Sequence, residues 1–209
     1  LQSNQVVSSM ASASRKLHDI AWQIMSANRN YCNEARINAF GLMVHSKNEL
    51  DINLRESFLA ASPSLPPSNQ KIREDIVMVV SVATNSPAYN AGIKEGDILL
   101  SINGKKYGSN YRNLLETGAE NENLNLIILR ENTKYNFELK PEVICGYPVQ
   151  PMISPIPNAY ADGSKIFITI ATLNFVESDQ ELAFLIGHEL AHNILHYKGR
   201  GLSEVNAIP

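Results

Sequence analysis

Leu182, Leu185, Ile186, Leu190 and Ile194 recur at spacings of three and four, the pattern of a helix buried along one side. Ser178-Asp179-Gln180-Glu181 stands just before them and reads as a capping box, with Ser178 accepting one backbone N–H bond and Glu181 returning another. Upstream, Lys165-Ile166-Phe167-Ile168-Thr169-Ile170 is rich in β-branched residues and follows Asp162-Gly163, which predicts a strand. Near the start, Leu17, Ile20, Ala21, Ile24 and Met25 repeat at helical intervals and predict an amphipathic helix over Met10 to Cys32.

The middle of the chain has a different rhythm. Ile76 to Val82 is an apolar strand, Leu124 to Arg130 is another, and Thr133 to Leu139 alternates Tyr135, Phe137 and Leu139 on one face. Tyr111 to Gly118 predicts a short helix with Leu114 and Leu115 inward. Gly92 and Gly96 permit tight turns, and Asn103-Gly104 offers a hairpin turn before Lys105. Together these elements make a compact β-rich module. Ala60 to Pro67, with three prolines and two serines, predicts a linker into it, and Pro148 to Pro157, with four prolines, predicts extended backbone leading out.

At 209 residues the chain has room for one ordinary domain and a small module. Eighteen basic residues against 21 acidic ones, with no Lys/Arg stripe, argue against nucleic acid as a partner. No apolar run reaches the roughly twenty residues needed to cross a membrane. Leu1 rather than Met stands first, which leaves room for a removed export signal, anchor or tag.

The candidate chemistry lies in His188-Glu189-Leu190-Ala191-His192. A helix repeats about every 3.6 residues, so His188 and His192 project from one face and can grip one metal ion, zinc by this motif. Zinc lowers the pKa of a bound water and polarises a peptide carbonyl, and Glu189 between the ligands is placed to act as general base. The other reading of the two histidines is ordinary packing at a helix end. Two residues after His192 are candidates for a third protein ligand, Glu204 and His196. Glu204 is the one carboxylate after His192, in a short glycine-rich stretch, while His196 has drifted by about 80 degrees from the bearing of His188. If Lys165 to Ile170 is an edge strand, a peptide could pair with it and present its carbonyl to the metal; a plain core strand is the alternative. Cys32 and Cys145, the two cysteines, flank the central module and fit either a disulfide or two inert buried thiols.

Two resemblances follow from these residues. Ile76 to Pro141, most specifically Ala88 to Gly104, resembles PDZ domains of the bacterial protease type, which capture a protein C-terminus by strand addition beside a loop of free N–H groups. The nearest match to that loop is Phe40-Gly41-Leu42-Met43, and a structural or gating role is the other expectation. Asn158 to Gly163, the strand Ile166 to Ile170 and Glu181 to His196 resemble the metallopeptidase family of the CAAX prenyl endopeptidase and its bacterial heat-shock and periplasmic relatives. The order of parts is similar to bacterial members with an inserted PDZ domain; Asn28, Cys32, Gly41 and Leu42 fit their N-terminal portion, and Cys145 fits the point of return.

The resemblance implies an α+β fold, a partial zincin-like (gluzincin) peptidase domain interrupted by a β-rich PDZ-like domain. The expected divisions are 1–68 for the first peptidase segment, 69–141 for the PDZ-like domain and 142–209 for the peptidase core. It also implies a zinc-dependent endopeptidase acting on protein substrates, with His188 and His192 as ligands and Glu189 catalytic. The third ligand is then expected to be a Glu on a later helix beyond Pro209, so that the chain stops inside the catalytic domain. The location implied is periplasmic or otherwise extracytoplasmic, with membrane association through a removed N-terminal segment, and the exposed metal helix could dimerise. The rival class is a PDZ scaffold or chaperone-like binding protein without catalysis.

Overall fold

The computed structural model describes residues 2–49, 76–106 and 110–196, the side chains of residues 2–9, Asn48 and His196 excepted. The stretch Ala60 to Pro67, the side chain of His196 and Glu204 therefore lie outside the described residues. In chain order the elements are helix α1 (Gln2–Ala27), strands β1 (Arg36–Ala39), β2 (Leu42–Ser46) and β3 (Val77–Val82), and helix α2 (Pro87–Ala91). Strands β4 (Ile98–Ile102) and β5 (Lys105–Lys106) and helix α3 (Tyr111–Glu120) follow. Then come β6 (Leu124–Arg130), β7 (Thr133–Leu139), β8 (Glu142–Cys145), β9 (Val149–Met152), β10 (Ala159–Ala161), β11 (Ile166–Thr169) and helices α4 (Ile170–Phe175) and α5 (Asp179–His196). Two compact units result, one of Leu1–Ala11 with Asn38–Val143, the other of Ser12–Ile37 with Ile144–Pro209. No described helix is long and apolar enough to cross a membrane.

In the first unit the sheet runs in the order β2-β3-β4-β6-β7, with β5 paired to β4. The sheet takes in β2, upstream of residue 69, because Leu42 to Ser46 pairs antiparallel with Val77 to Val82. Val79, Leu99, Leu124, Leu126 and Ile128 are buried with Tyr111 and Leu114 of α3, so the alternation in the strands and the helical spacing meet in one core. Asn103 (φ 49°) and Gly104 (φ 72°) form the tight turn between β4 and β5. Gly41 is required by both backbone and space. Its φ is +72°, and an added Cβ would lie 2.1 Å from the Ser86 Cβ.

Asp97 is the buried polar centre of this unit. Its carboxylate accepts from Arg130 Nε (2.7 Å) and Nη2 (2.6 Å) and from the Lys94 N–H (2.8 Å), while Arg130 Nη2 also donates to the Gly92 carbonyl (2.8 Å). The ion pair thus fastens the end of β6 to the turn before β4. Hydrogen bonding to Asp97 is the main reason the Arg130 pKa is raised.

The second unit has a three-stranded sheet in the order β10-β11-β9, with β11 parallel to β9 and antiparallel to β10. The segment Pro148 to Pro157 is therefore more than a connector, since four of its residues form a strand, with Pro151 tolerated at the sheet's margin. β11 is shorter than the predicted Lys165 to Ile170. Thr169 caps the next helix, its hydroxyl accepting from the Thr172 N–H (3.2 Å), so Ile170 is already helical. The helix expected over Met10 to Cys32 instead spans Gln2–Ala27 and gives way to two 3-10 turns. At its end the Ile24 carbonyl accepts both from the Asn28 N–H (3.1 Å) and from the Asn28 side-chain amide (2.9 Å). Cys32 and Cys145 form a disulfide with a Cα–Cα distance of 5.5 Å, closing a separation of 113 residues.

Replacing Asp97 by Ala should cost the first unit about 3 kcal/mol, because Arg130 is left largely buried without its counter-charge; urea unfolding followed by a probe on β6 measures this. In the second unit, burial of the half-buried His18 ring depresses its pKa to about 4, against an opposing pull from Asp19. The unfolded chain, with an ordinary His near 6.5, takes up this proton first as pH falls. The neutral ring's contribution is thus complete above pH ~6.5 and is lost between there and pH ~4. A His18→Asn variant should show a shallower fall in stability across that window in denaturation series at stepped pH.

Candidate metal centre and peptide-binding edge

Helix α5 starts where the sequence signals it. Ser178 Oγ accepts from the Glu181 N–H (3.2 Å), and the Glu181 carboxylate accepts from the Glu177 N–H (2.8 Å), one residue earlier than a reciprocal box would place it. Asp179 and Glu181 put negative charge in the first turn, where the helix dipole favours it. Leu182, Ile186 and Leu190 are buried, whereas Leu185 and Ile194 are only half-buried. The opposite face carries Phe184, His188 and Leu195 into solvent.

His188 and His192 converge. Their Nε2 atoms lie 3.0 Å apart, with the rings edge to face at 4.7 Å between centroids. Two nitrogens bound to one tetrahedral zinc at about 2.0–2.1 Å stand roughly 3.3 Å apart, so the pair fits a shared ion with a shift of a few tenths of an ångström. Glu189, between them in sequence, is buried with 8% exposure. Among the described residues no third His, Cys, Asp or Glu joins the pair in a metal-holding group.

What positions this helix is a residue the sequence reading passed over. Asn193 is buried, and its side chain accepts from the Gly163 N–H (2.8 Å) and donates to the Lys165 carbonyl (3.2 Å). It grips the turn between β10 and β11. Asp162 shapes that turn by accepting from the Ser164 and Lys165 N–H groups (2.8 and 2.7 Å), and the Ser164 bond leads the causes that lower its pKa. A polar residue three positions after Leu190 on the apolar stripe was the available signal.

Of the two readings of Lys165 to Ile170, edge or core strand, the second holds. β11 is the middle strand, hydrogen-bonded on both sides, because β9 comes back from the proline-rich segment to pair with it. Among the described residues the free margin beside α5 belongs to β10.

In the first unit β2 is one of the two outer strands of the sheet, β7 being the other. The Phe40 and Gly41 carbonyls before β2 accept from Ala88 and Ala83 (3.0 and 2.9 Å), and among the described residues neither of their N–H groups has an acceptor. Helix α3 is tied to this strand region at both ends. Asn38 Nδ2 donates to the Ala119 carbonyl (3.0 Å), and the Glu49 carboxylate accepts from Arg112 (2.9 and 3.1 Å) and the Tyr111 hydroxyl. Burial works to raise the Glu49 pKa, but the bonds from Arg112 and Tyr111 outweigh it and hold the carboxyl at about 2.

Two family models match the chain: PDZ domain over residues 78–130 and Peptidase family M48 over residues 119–203. The chain carries a PDZ domain and an M48 zinc metallopeptidase domain. The architecture is accordingly mixed α+β, with the β-rich PDZ module adjacent to the M48 domain. The M48 match contains β6 through α5, including the histidine pair, and the PDZ match contains most of β3 and all of β4 through β6, so the two overlap over residues 119–130. Similar solved structures include the HtrA3 PDZ domain bound to a phage-derived ligand (FGRWV), 26% identical over 53% of this chain and 92% of that one, with a TM-score of 0.39. Another is the HtrA-type protease AlgW with a decapeptide, 20% identical over 52% of this chain, with a TM-score of 0.38; the match spans 30% of AlgW. No curated protein matches the chain.

Replacing Asn193 by Ala should destabilise the M48 unit by about 2 kcal/mol, since the Gly163 N–H and Lys165 carbonyl lose their partner. Thermal unfolding, with amide exchange at Gly163 as a local probe, measures the loss.

Proposed function

We propose that the chain belongs to a zinc-dependent endopeptidase in which His188 and His192 hold the metal and Glu189 is the general base. The observation that carries this reading is the approach of the two Nε2 atoms to 3.0 Å on a helix within the M48 match. Bound there, zinc supplies a Lewis acid and a water of lowered pKa. Glu189 takes a proton from the attacking water and returns it to the leaving amine. A protein substrate lies extended along the free margin of β10 and pairs with its backbone, which brings one carbonyl to the histidine pair.

The PDZ domain serves recognition in this reading. A substrate C-terminus adds as a strand beside β2, and its carboxylate is met by the Phe40 and Gly41 N–H groups, which have no acceptor among the described residues. We take the PDZ module to be an insertion in the peptidase, since the second unit is built from two stretches separated in sequence. The Cys32–Cys145 disulfide supports folding in an oxidising, extracytoplasmic compartment.

Zinc titration and turnover of an unfolded protein substrate test the central assignment. His188→Ala and His192→Ala should each lose most zinc binding. Glu189→Gln should bind zinc as the parent does and turn over about 10²–10⁴-fold more slowly. Zinc bound equally without the histidines, or hydrolysis undiminished in Glu189→Gln, refutes the assignment; zinc-free peptide binding alone would favour the scaffold.

A further inference from the structure

The sheet of the first unit ends on β7, whose residues Thr133 to Leu139 pair with β6 in one unbroken register and have no strand on their other side among the described residues. Helix α2 packs against β7, yet Thr133 to Asn136 and Glu138 remain exposed. We propose that this margin is the contact between two copies of the chain, which pair β7 to β7 antiparallel about a two-fold axis at Asn136. The contact stands whether or not the histidine helix is catalytic.

Three features of the strand support it. First, edge strands are usually guarded against such pairing by shortness, a bulge or a proline. The opposite margin, β2, has a register shift between Met43 and Val44, whereas β7 has no shift, no proline and no glycine. Second, the strand is complementary to itself. Antiparallel pairing about Asn136 sets Lys134 of each copy opposite Glu138 of the other, and Tyr135 of each opposite Phe137 of the other. An axis one residue earlier sets Lys134 opposite Asn136, and one residue later opposite Lys140, so the charges specify a single register. Third, the aromatic side of the strand is preformed. Tyr135 stacks on Phe137 at 6.4 Å between centroids, with the Arg130 guanidinium 5.2 Å from the centre of the Tyr135 ring. Tyr135 is 40% exposed, and a second copy brings its own ring pair alongside and removes that surface from water. The joined sheet has a β2 at each end, so the dimer offers two of the edges at which we place a substrate C-terminus.

Sedimentation velocity on the 209-residue chain tests this. A contact of one short strand per copy is small and reversible, so the unsubstituted chain should pass from monomer to dimer between about 10 µM and about 1 mM. Lys134→Glu and Glu138→Lys, both at exposed positions, each set like charges opposite one another twice and should weaken association about tenfold or more. An equimolar mixture of these two variants brings opposite charges together again at both places and should form a heterodimer about as readily as the unsubstituted chain forms its dimer. The double variant Lys134→Glu/Glu138→Lys should pair with itself equally well. Recovery in the mixture also shows that both single variants are folded. An unsubstituted chain that stays monomeric, a dimer that neither charge reversal weakens, or single variants whose mixture fails to associate overturns the proposal. A dimer indifferent to both reversals assigns the contact to another surface, such as the outer face of α5.

Discussion

A helix comes back to nearly the same bearing after four residues, and the second unit depends on that return at both faces of α5. Outward, it brings the His188 and His192 nitrogens to 3.0 Å. Inward, it lines up Leu182, Ile186 and Leu190 as a buried stripe. Rotation of the helix by even half a residue step would expose part of the stripe and swing both imidazoles together to a new bearing. The packing of one face is thus what aims the other, and the buried Glu189 carboxylate inherits its position from the same constraint.

Hydrophobic burial along a helix fixes its rotation better than its translation. Asn193 supplies the missing restraint, since its amide reads the Gly163 N–H and the Lys165 carbonyl together and fits at only one register. The turn it grips leads directly into β10 and β11. The histidine helix and the strand margin beside it are therefore tied to each other by this one side chain.

The PDZ module applies a comparable solution with different chemistry. Asp97, almost fully buried, is tolerable because Arg130 meets it in two bonds and the Lys94 N–H in a third, which turns an expensive charge into a clasp between the β6 end and the Gly92–Asp97 turn. Gly41, pressed against Ser86, lets the chain pass close enough for the Phe40 and Gly41 carbonyls to be anchored while their N–H groups stay without acceptors among the described residues.

What could be read from the residues alone was whatever local periodicity and local sterics dictate. The heptad-like spacing of α5, the alternation in β6 and β7, the Asn103-Gly104 turn and the separation of His188 from His192 all follow from the geometry of a few consecutive residues. Strand order was out of reach, because a run such as Ile166 to Ile168 looks the same in the middle of a sheet as at its margin; the return of β9 from a proline-rich segment decides that it is the middle. The choice between disulfide and thiols at Cys32 and Cys145 likewise turned on a proximity that 113 residues of separation conceal. The bonds of Asn193 exist only once distant segments meet, since their partners are ones that no periodicity connects.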